Sequence, residues 1–180
     1  MFIQNIDINI LYFFQNHIEN SFLNPIMIFF TSLGNLGFIW IVISLGLLIS
    51  KKYRKIGILT LAVLIVNTIL GEGILKHLIE RPRPFVTYKD LNIIISKPNS
   101  FSMPSGHTSA SFAAAFMLSY CIKKYKVYFY TLASLIAFSR IYLLVHYPSD
   151  VLSGILLGFI SFLIVIKIYN IKFKNKLSEK

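Results

Sequence analysis

Three polar clusters interrupt a largely apolar sequence, and they contain the residues best suited to chemistry. The clusters occupy residues 76–84, 104–107 and 139–150. Each cluster alone has an ordinary structural explanation, such as a lysine at a helix end, prolines that end a helix, or a common turn. Together they predict a functional site. Its candidate residues are three cations, a Ser-Gly pair, two histidines and a carboxylate: Lys76, Arg83, Arg140, Ser105, Gly106, His107, His146 and Asp150.

The charges of this set favour an anion as ligand. Lys76, Arg83 and Arg140 outnumber the one carboxylate, a balance that attracts an anion and repels a metal cation. The planar guanidinium fork of arginine matches phosphate oxygens. Ser105 and Gly106 immediately precede an apolar segment, so we expect their backbone N–H groups at a helix N-terminus, where the helix dipole favours negative charge. The sequence therefore predicts a phosphate-binding site.

Two histidines complete a phosphoryl-transfer reaction, which needs a nucleophile and a proton donor for the leaving oxygen. His146 is predicted to be the nucleophile and to form a phosphohistidine. Asp150, four residues later, is predicted to accept the other N–H of its imidazole ring. His107, beside the phosphate site, is predicted to be the general acid. The reaction requires no metal and no cofactor, because the cations stabilise the charge of the transition state.

The composition places these clusters in a membrane protein. Of the 180 residues, 56% are apolar and 14% are charged, which is more apolar surface than a soluble domain of this size buries. The sequence predicts one all-α domain over residues 1–180, a polytopic membrane helical bundle of about five transmembrane helices, with six possible. The predicted spans are five apolar segments, near 22–50, 56–76, 107–122, 127–146 and 150–168.

Three segments of the predicted bundle have distinctive sequences. The first span contains Gly34, Asn35 and Gly37 and is expected to be kinked or split. The third span is short and rich in Ala and Ser, which lets helices approach closely and predicts a central position. Residues 6–19 alternate apolar and polar types, as is typical of an amphipathic helix that lies at the membrane interface.

Basic residues set the predicted orientation. Although the net charge is +11, the cations form short clusters between apolar runs, which argues against a nucleic-acid partner. Clusters at 51–55, at 123–126 and in a basic tail at 169–180 fall on one side, and the positive-inside rule makes that side cytoplasmic. The three polar clusters then meet at the outer face of the plasma membrane.

These residues resemble a known family. Residues 76–84 fit the K-x6-R-P element of the type 2 phosphatidic acid phosphatases, a superfamily shared with the vanadium haloperoxidases. Residues 104–107 fit its P-S-G-H element, and residues 139–150 fit S-R-x5-H-x3-D without departure. The resemblance covers a motif core at 76–150. It implies the same residue roles as those given above, an outward-facing site and metal-independent catalysis.

The family resemblance leaves several substrates and two other classes of function open. An isoprenoid diphosphate such as undecaprenyl diphosphate is the first expectation, and phosphatidylglycerophosphate or phosphatidic acid is the alternative. A vanadate-dependent haloperoxidase would oxidise halide in the presence of vanadate. A non-catalytic lipid-binding protein would retain the fold without releasing phosphate. The sequence does not predict an oligomeric state.

Residues near the motifs have less definite predictions. Glu72, one helical turn before Lys76, is expected to pair with it. Arg81 is expected to bind lipid headgroups, and His77 is expected to face the interface. The outer loop at 77–106 contains enough apolar residues to form the rim of substrate access from the membrane.

Overall fold

The computed structural model describes residues 2–174, and every regular element within that range is helical. The predicted all-α class is therefore confirmed. These described residues form nine α-helices: α1 (Phe2–Phe13), α2 (Leu23–Leu33), α3 (Phe38–Ile49), α4 (Arg54–Thr68), α5 (Lys76–Ile79), α6 (Pro84–Thr87), α7 (Gly106–Cys121), α8 (Lys126–Tyr142) and α9 (Pro148–Lys174). Short π-helical or 3-10 segments occupy Phe14–Ile18, Asn35–Gly37, Ile69–Leu75 and Lys123–Tyr125.

Helix α7 lies at the centre of the bundle, as its small residues predicted. It packs against α4, α8 and α9, and Ala113, Ala114 and Ala115 are fully buried. On α9, Gly158 faces the backbone of α7 so closely that an added Cβ would lie 2.8 Å from Ala113 N. Small residues therefore allow the two helix backbones to touch, which fixes the ends of α7 and α9 relative to each other.

The predicted break in the first span is confirmed. Helices α2 and α3 meet at an angle of 50° across the segment Asn35–Gly37. Leu36 and Gly37 there have φ values of 51° and 72°, which no helix continues through. Gly37 adopts this backbone without a steric penalty. The bend carries Asn35 to the N-terminal end of α7, where it contacts His107.

Two of the described helical stretches are long and apolar enough to cross a membrane, Arg54–Thr87 and Pro148–Lys172. The bent pair α2–α3 makes a third if it counts as one span. Helices α7 and α8 have 16 and 17 residues and are shorter than the 18 residues taken here as the minimum for a span. The count of five spans is therefore not confirmed and stays a prediction. Of the predicted basic tail, residues 169–174 continue α9, and residues 175–180 lie outside the described residues.

The N-terminal helix α1 packs on the loops around the polar clusters. Ile8 and Leu11 are buried against Leu91, Leu144 and Tyr147. The side chain of Tyr12 donates a hydrogen bond to Asp90 in the outer loop, at 2.7 Å. Helix α1 is thus part of the scaffold at this end of the bundle.

Candidate active site

Lys76 begins the short helix α5, directly after the π-helical segment Ile69–Leu75. Its side chain is almost fully buried, with 4% of its surface exposed. The ammonium group lies 2.8 Å from the Glu72 carboxylate and donates to Ser100 Oγ at 3.1 Å. The expected pairing of Glu72 with Lys76 is confirmed.

Arg83 joins the outer loop to the third polar cluster. Its Nε and Nη2 atoms donate to the carbonyl and hydroxyl oxygens of Ser100, at 2.7 and 3.0 Å. Its Nη1 atom donates to Val145 O at 2.9 Å and lies 3.1 Å from His146 Nε2. Because a guanidinium group has no acceptor, Nε2 of His146 must accept this bond, and the ring proton of a neutral imidazole is then on Nδ1. The ring lone pair of His146 is thus on Nε2, where it accepts the bond from Arg83.

Asp150 lies behind His146, on the first turn of α9. Its Oδ2 atom is 3.5 Å from His146 Nδ1, which is longer than an ordinary hydrogen bond. The same oxygen accepts bonds from Ser102 Oγ and from the backbone N–H of Tyr147. Ser102 Oγ also lies 3.5 Å from His146 Nδ1. The predicted Asp150–His146 pairing is therefore present as a long contact, with a buried serine hydroxyl beside it.

The P-S-G-H cluster forms the N-terminus of α7, as predicted. Gly106 is its first residue, and a Cβ there would contact Glu72 Oε1, so the Glu72 carboxylate would have to shift. His107 Nε2 lies 2.9 Å from Asn35 Oδ1, across the bend between α2 and α3. The structure does not bring Ser105 to the cavity as expected, since its N–H donates to Asp150 O at 3.1 Å and its hydroxyl accepts from Thr108.

Arg140 projects from the last turn of α8 and is buried, with 3% of its surface exposed. Its Nη1 atom donates to Thr31 Oγ1 on α2. Its Nε atom has no hydrogen-bond partner among residues 2–174. A buried guanidinium that is only partly satisfied is costly unless an anion compensates it.

A cavity of about 850 Å³ brings most of the candidate residues together. Six of the eight line it: Lys76, Arg83, Gly106, His107, Arg140 and His146. Ser105 and Asp150 are fully buried behind this wall. The lining also includes apolar residues of α2, the Asn35–Gly37 segment, α3, α4 and the following π-helical segment: Ile28, Leu36, Ile41, Leu61, Leu64, Ile65 and Ile69. Cationic and apolar side chains that share one cavity suit an amphipathic anion.

Arg81 corrects one expectation from the sequence. It was expected to bind lipid headgroups, but its guanidinium donates to Asp7 at 2.7 Å and to Asp150 at 2.6 Å. It also stacks on the ring of Tyr147, with 3.9 Å between the guanidinium carbon and the ring centroid. Two carboxylates in a partly buried setting bind this arginine more strongly than exposed headgroups would. His77 is exposed and contacts Phe101 by its ring edge.

Sequence reasoning missed four polar residues at the site. Ser100 and Ser102 lie in the outer loop without regular structure, and no spacing rule distinguished them from neighbouring serines. Asn35 had been noted only for the bend. The sequence did not predict a role for Asp7, although a lone carboxylate in a largely apolar helix indicates a cationic partner. No group of three His, Cys, Asp or Glu side chains within residues 2–174 has a geometry suited to a metal ion.

Comparisons with known proteins agree with this architecture. A family model described as PAP2 superfamily matches residues 56–174. An undecaprenyl-diphosphatase of Sulfolobus acidocaldarius is 35% identical over 165 residues, which cover 90% of this chain and 79% of that protein. The crystal structure of a transmembrane PAP2 type phosphatidylglycerolphosphate phosphatase from Bacillus subtilis has a TM-score of 0.74 and 31% identity, covering 95% of this chain and 87% of that one. The structure of Aquifex aeolicus LpxE has a TM-score of 0.78 and 29% identity, covering 90% and 95%.

Proposed function

This chain belongs to the PAP2 superfamily, and we propose that it is a membrane lipid phosphatase with His146 as its nucleophile. The observation that carries the proposal is the shared cavity. Three cations and two histidines, distant along the chain, line one cavity whose lining also includes apolar side chains. A lipid phosphate matches both kinds of lining residue, because its headgroup is an anion and its tail is a hydrocarbon.

The proposed reaction proceeds in two steps. The lone pair on Nε2 of His146 attacks phosphorus, while the bond from phosphorus to the leaving oxygen breaks and His107 gives that oxygen its proton. Water then attacks the phosphohistidine with His107 as the base, and the N–P bond breaks to release phosphate. Lys76, Arg83 and Arg140, with the N–H groups at the start of α7, stabilise the negative charge on the phosphoryl oxygens.

Positions behind the cavity support the same chemistry. Asp150 favours the imidazolium-like charge that develops on His146 during attack. Ser105 contributes by holding the start of α7 against α9, through its N–H bond to Asp150 O at 3.1 Å. Gly106 allows the Glu72–Lys76 pair to approach the start of the helix. We assign Ser105 this supporting place rather than direct phosphate contact.

We propose undecaprenyl diphosphate as the substrate, with phosphatidylglycerophosphate or phosphatidic acid as the alternative. The undecaprenyl-diphosphatase of Sulfolobus acidocaldarius, which is similar over most of both chains, supports the first choice. With a diphosphate, His146 attacks the terminal phosphorus and the lipid monophosphate leaves. The similar phosphatidylglycerolphosphate phosphatase from Bacillus subtilis supports the alternative.

We further propose that the chain crosses the plasma membrane five times with the site at the outer face. Nine of the fourteen lysines lie at 51–55, at 123–126 and in the C-terminal half of α9, and these positions fit the cytoplasmic side. Helices α7 and α8 would then be short spans, about 25 Å long at 1.5 Å per residue. Helix α1 would lie at the outer interface beside the site.

The test is phosphate release from purified protein in detergent, with undecaprenyl diphosphate, phosphatidylglycerophosphate and phosphatidic acid as substrates and EDTA present. We expect release from undecaprenyl diphosphate to be fastest and to persist in EDTA. His146→Ala is expected to abolish release, whereas His77→Ala, an exposed histidine outside the cavity, is expected to retain it. Absence of release from all three lipids by the unmodified protein would refute the proposed function, and equal activity of the two variants would refute the assigned nucleophile.

A further inference from the structure

Arg81 and Asp7 lie outside the phosphate cavity, yet they contact the carboxylate behind His146. Arg81 occupies an unspecified position of the K-x6-R-P element, and Asp7 lies outside all three motifs. We propose that Arg81, held by Asp7 of α1, is a positioning residue that orients Asp150 toward His146. The inference rests on the proposed function, because it assigns these residues to the phosphatase reaction.

The two oxygens of the Asp150 carboxylate have different partners. Oδ1 accepts from Arg81 Nη1 at 2.6 Å. Oδ2 is the oxygen that faces His146 Nδ1 and that accepts from Ser102. With Oδ1 fixed by a charged donor, the carboxylate cannot rotate without losing a charge-assisted bond. Arg81 thus determines which oxygen faces the imidazole ring and in what plane.

Asp7 fixes Arg81 in turn. Asp7 is buried, with 2% of its surface exposed, and its Oδ2 atom accepts from Arg81 Nη2 at 2.7 Å. Gln4, one helical turn earlier on α1, accepts from the same Nη2 atom at 2.6 Å. The guanidinium therefore donates to α1 through one nitrogen and to the start of α9 through the other. A planar fork with both arms occupied has little freedom to turn.

Asp7 also holds the backbone that carries Asp150. Its Oδ1 atom accepts from the backbone N–H of Ser149 at 2.9 Å, and its Oδ2 atom accepts from the Ser149 hydroxyl. Ser149 is in the first turn of α9, whose N–H groups have no partner within the helix. Asp7 therefore caps α9 from another helix, immediately beside Asp150.

These contacts predict an effect on the rate of the chemical step and not on substrate binding. The phosphate is proposed to bind Lys76, Arg83 and Arg140, none of which is bonded to Asp7 or Arg81. Loss of Arg81 removes the cation that lies between the carboxylates of Asp7 and Asp150, so the Asp150 carboxylate is no longer held and turns away from His146. This change weakens its stabilisation of charge on the imidazole.

The experiment measures kcat, KM and thermal unfolding of the full chain in detergent for Arg81→Gln, Arg81→Lys and Asp7→Asn. We expect kcat to fall about 100-fold for Arg81→Gln, because a misplaced catalytic group costs roughly that much. Arg81→Lys keeps the charge without the planar fork, and Asp7→Asn keeps part of the hydrogen bonding. We therefore expect kcat to fall about tenfold for each of these two variants. KM is expected to stay within about threefold of the unmodified value for all three variants.

Tyr12→Phe is the matched control. It removes the hydrogen bond from α1 to Asp90 in the outer loop, and so loosens the same helix without touching Asp150. We expect Tyr12→Phe to keep its kcat. Equal losses of kcat in Tyr12→Phe and Asp7→Asn would show that α1 acts only as a general support and would overturn the proposal.

An Arg81→Gln variant whose kcat stays within about threefold of the unmodified value would also overturn the proposed positioning role. If Arg81→Gln does not fold, Asp7→Asn decides the question by the same criterion. The unmodified protein is assayed in parallel, so that failure of the proposed function can be distinguished from failure of the proposed positioning role. No phosphate release by the unmodified protein refutes the proposed function, whereas release that Arg81 and Asp7 substitutions leave unchanged refutes only the positioning role.

Discussion

The contact between α7 and α9 gives a sharp test of how the fold positions the site. A Cβ added at Gly158 would lie 2.8 Å from Ala113 N, 2.8 Å from Ser109 O and 3.2 Å from Phe112 C. All three are backbone atoms of α7, which cannot turn aside as the end of a flexible side chain can. Gly158→Ala therefore requires the two helices to separate.

The required movement can be estimated from these distances. Ordinary van der Waals contact begins at 3.4 Å, so the helices must part by roughly 0.6 Å at this point, in a core that is otherwise closely packed. Overpacking of this kind costs about 1–3 kcal/mol. For a protein of this length that corresponds to a fall in Tm of about 2–4 °C per kcal/mol. Because α7 carries His107 and α9 carries Asp150, we also expect kcat to fall about tenfold.

The assay combines thermal unfolding in detergent with phosphate release by the same preparation. Gly46→Ala is the control, because no atom lies within 4 Å of a Cβ at Gly46, an exposed position in α3. Alanine there gains helix propensity, up to about 1 kcal/mol, without a clash. We expect Gly46→Ala to match or exceed the stability of the unmodified protein. A Gly158→Ala protein with the Tm and kcat of the Gly46→Ala protein would refute the packing argument.

Three other substitutions test single contacts. Arg83→Lys is expected to lower kcat/KM at least about tenfold, since lysine lacks the fork for bidentate phosphate binding; steady-state kinetics on the preferred lipid will show it. Ser102→Ala removes the hydroxyl that donates to Asp150, and we expect kcat to fall about tenfold with KM retained. Trp40→Phe removes the indole N–H that donates to buried Ser111 Oγ at 2.9 Å. We expect the free energy of unfolding to fall by about 1–3 kcal/mol, measured by thermal unfolding, and kcat to stay unchanged.

The sequence predicted the parts of the fold that depend on local composition. The bend at Asn35–Gly37 followed from glycines in an apolar run, and the central place of α7 followed from its alanines and serines. Both are properties of a single segment. The meeting of residues 76–84, 104–107 and 139–150 at one cavity was predicted from charge and topology together, and the cavity lining agrees with it.

The supporting contacts were not predicted because they join segments that are distant in sequence. Asp7 bonds to Ser149 across 142 positions, and Arg81 bonds to Asp150 across 69. No periodicity or spacing in either segment identifies such a partner. The backbone N–H of Ser105 is a similar case. The sequence predicted that this N–H lies at the start of a helix, but it could not show that the N–H donates to the carbonyl of Asp150.

The two arginines of the first cluster show how the surroundings of a residue determine its role. Arg81 and Arg83 are two residues apart, but Arg81 lies between two carboxylates, which neutralise it. Arg83 instead bonds to neutral groups, and it shares the cavity wall with Lys76 and Arg140. A buried cation without a carboxylate partner, such as Arg83, is stabilised when an anion binds beside it, whereas a cation held between two carboxylates gains little. The charge of Arg83 is therefore available to a phosphate, and that of Arg81 is already committed to the protein.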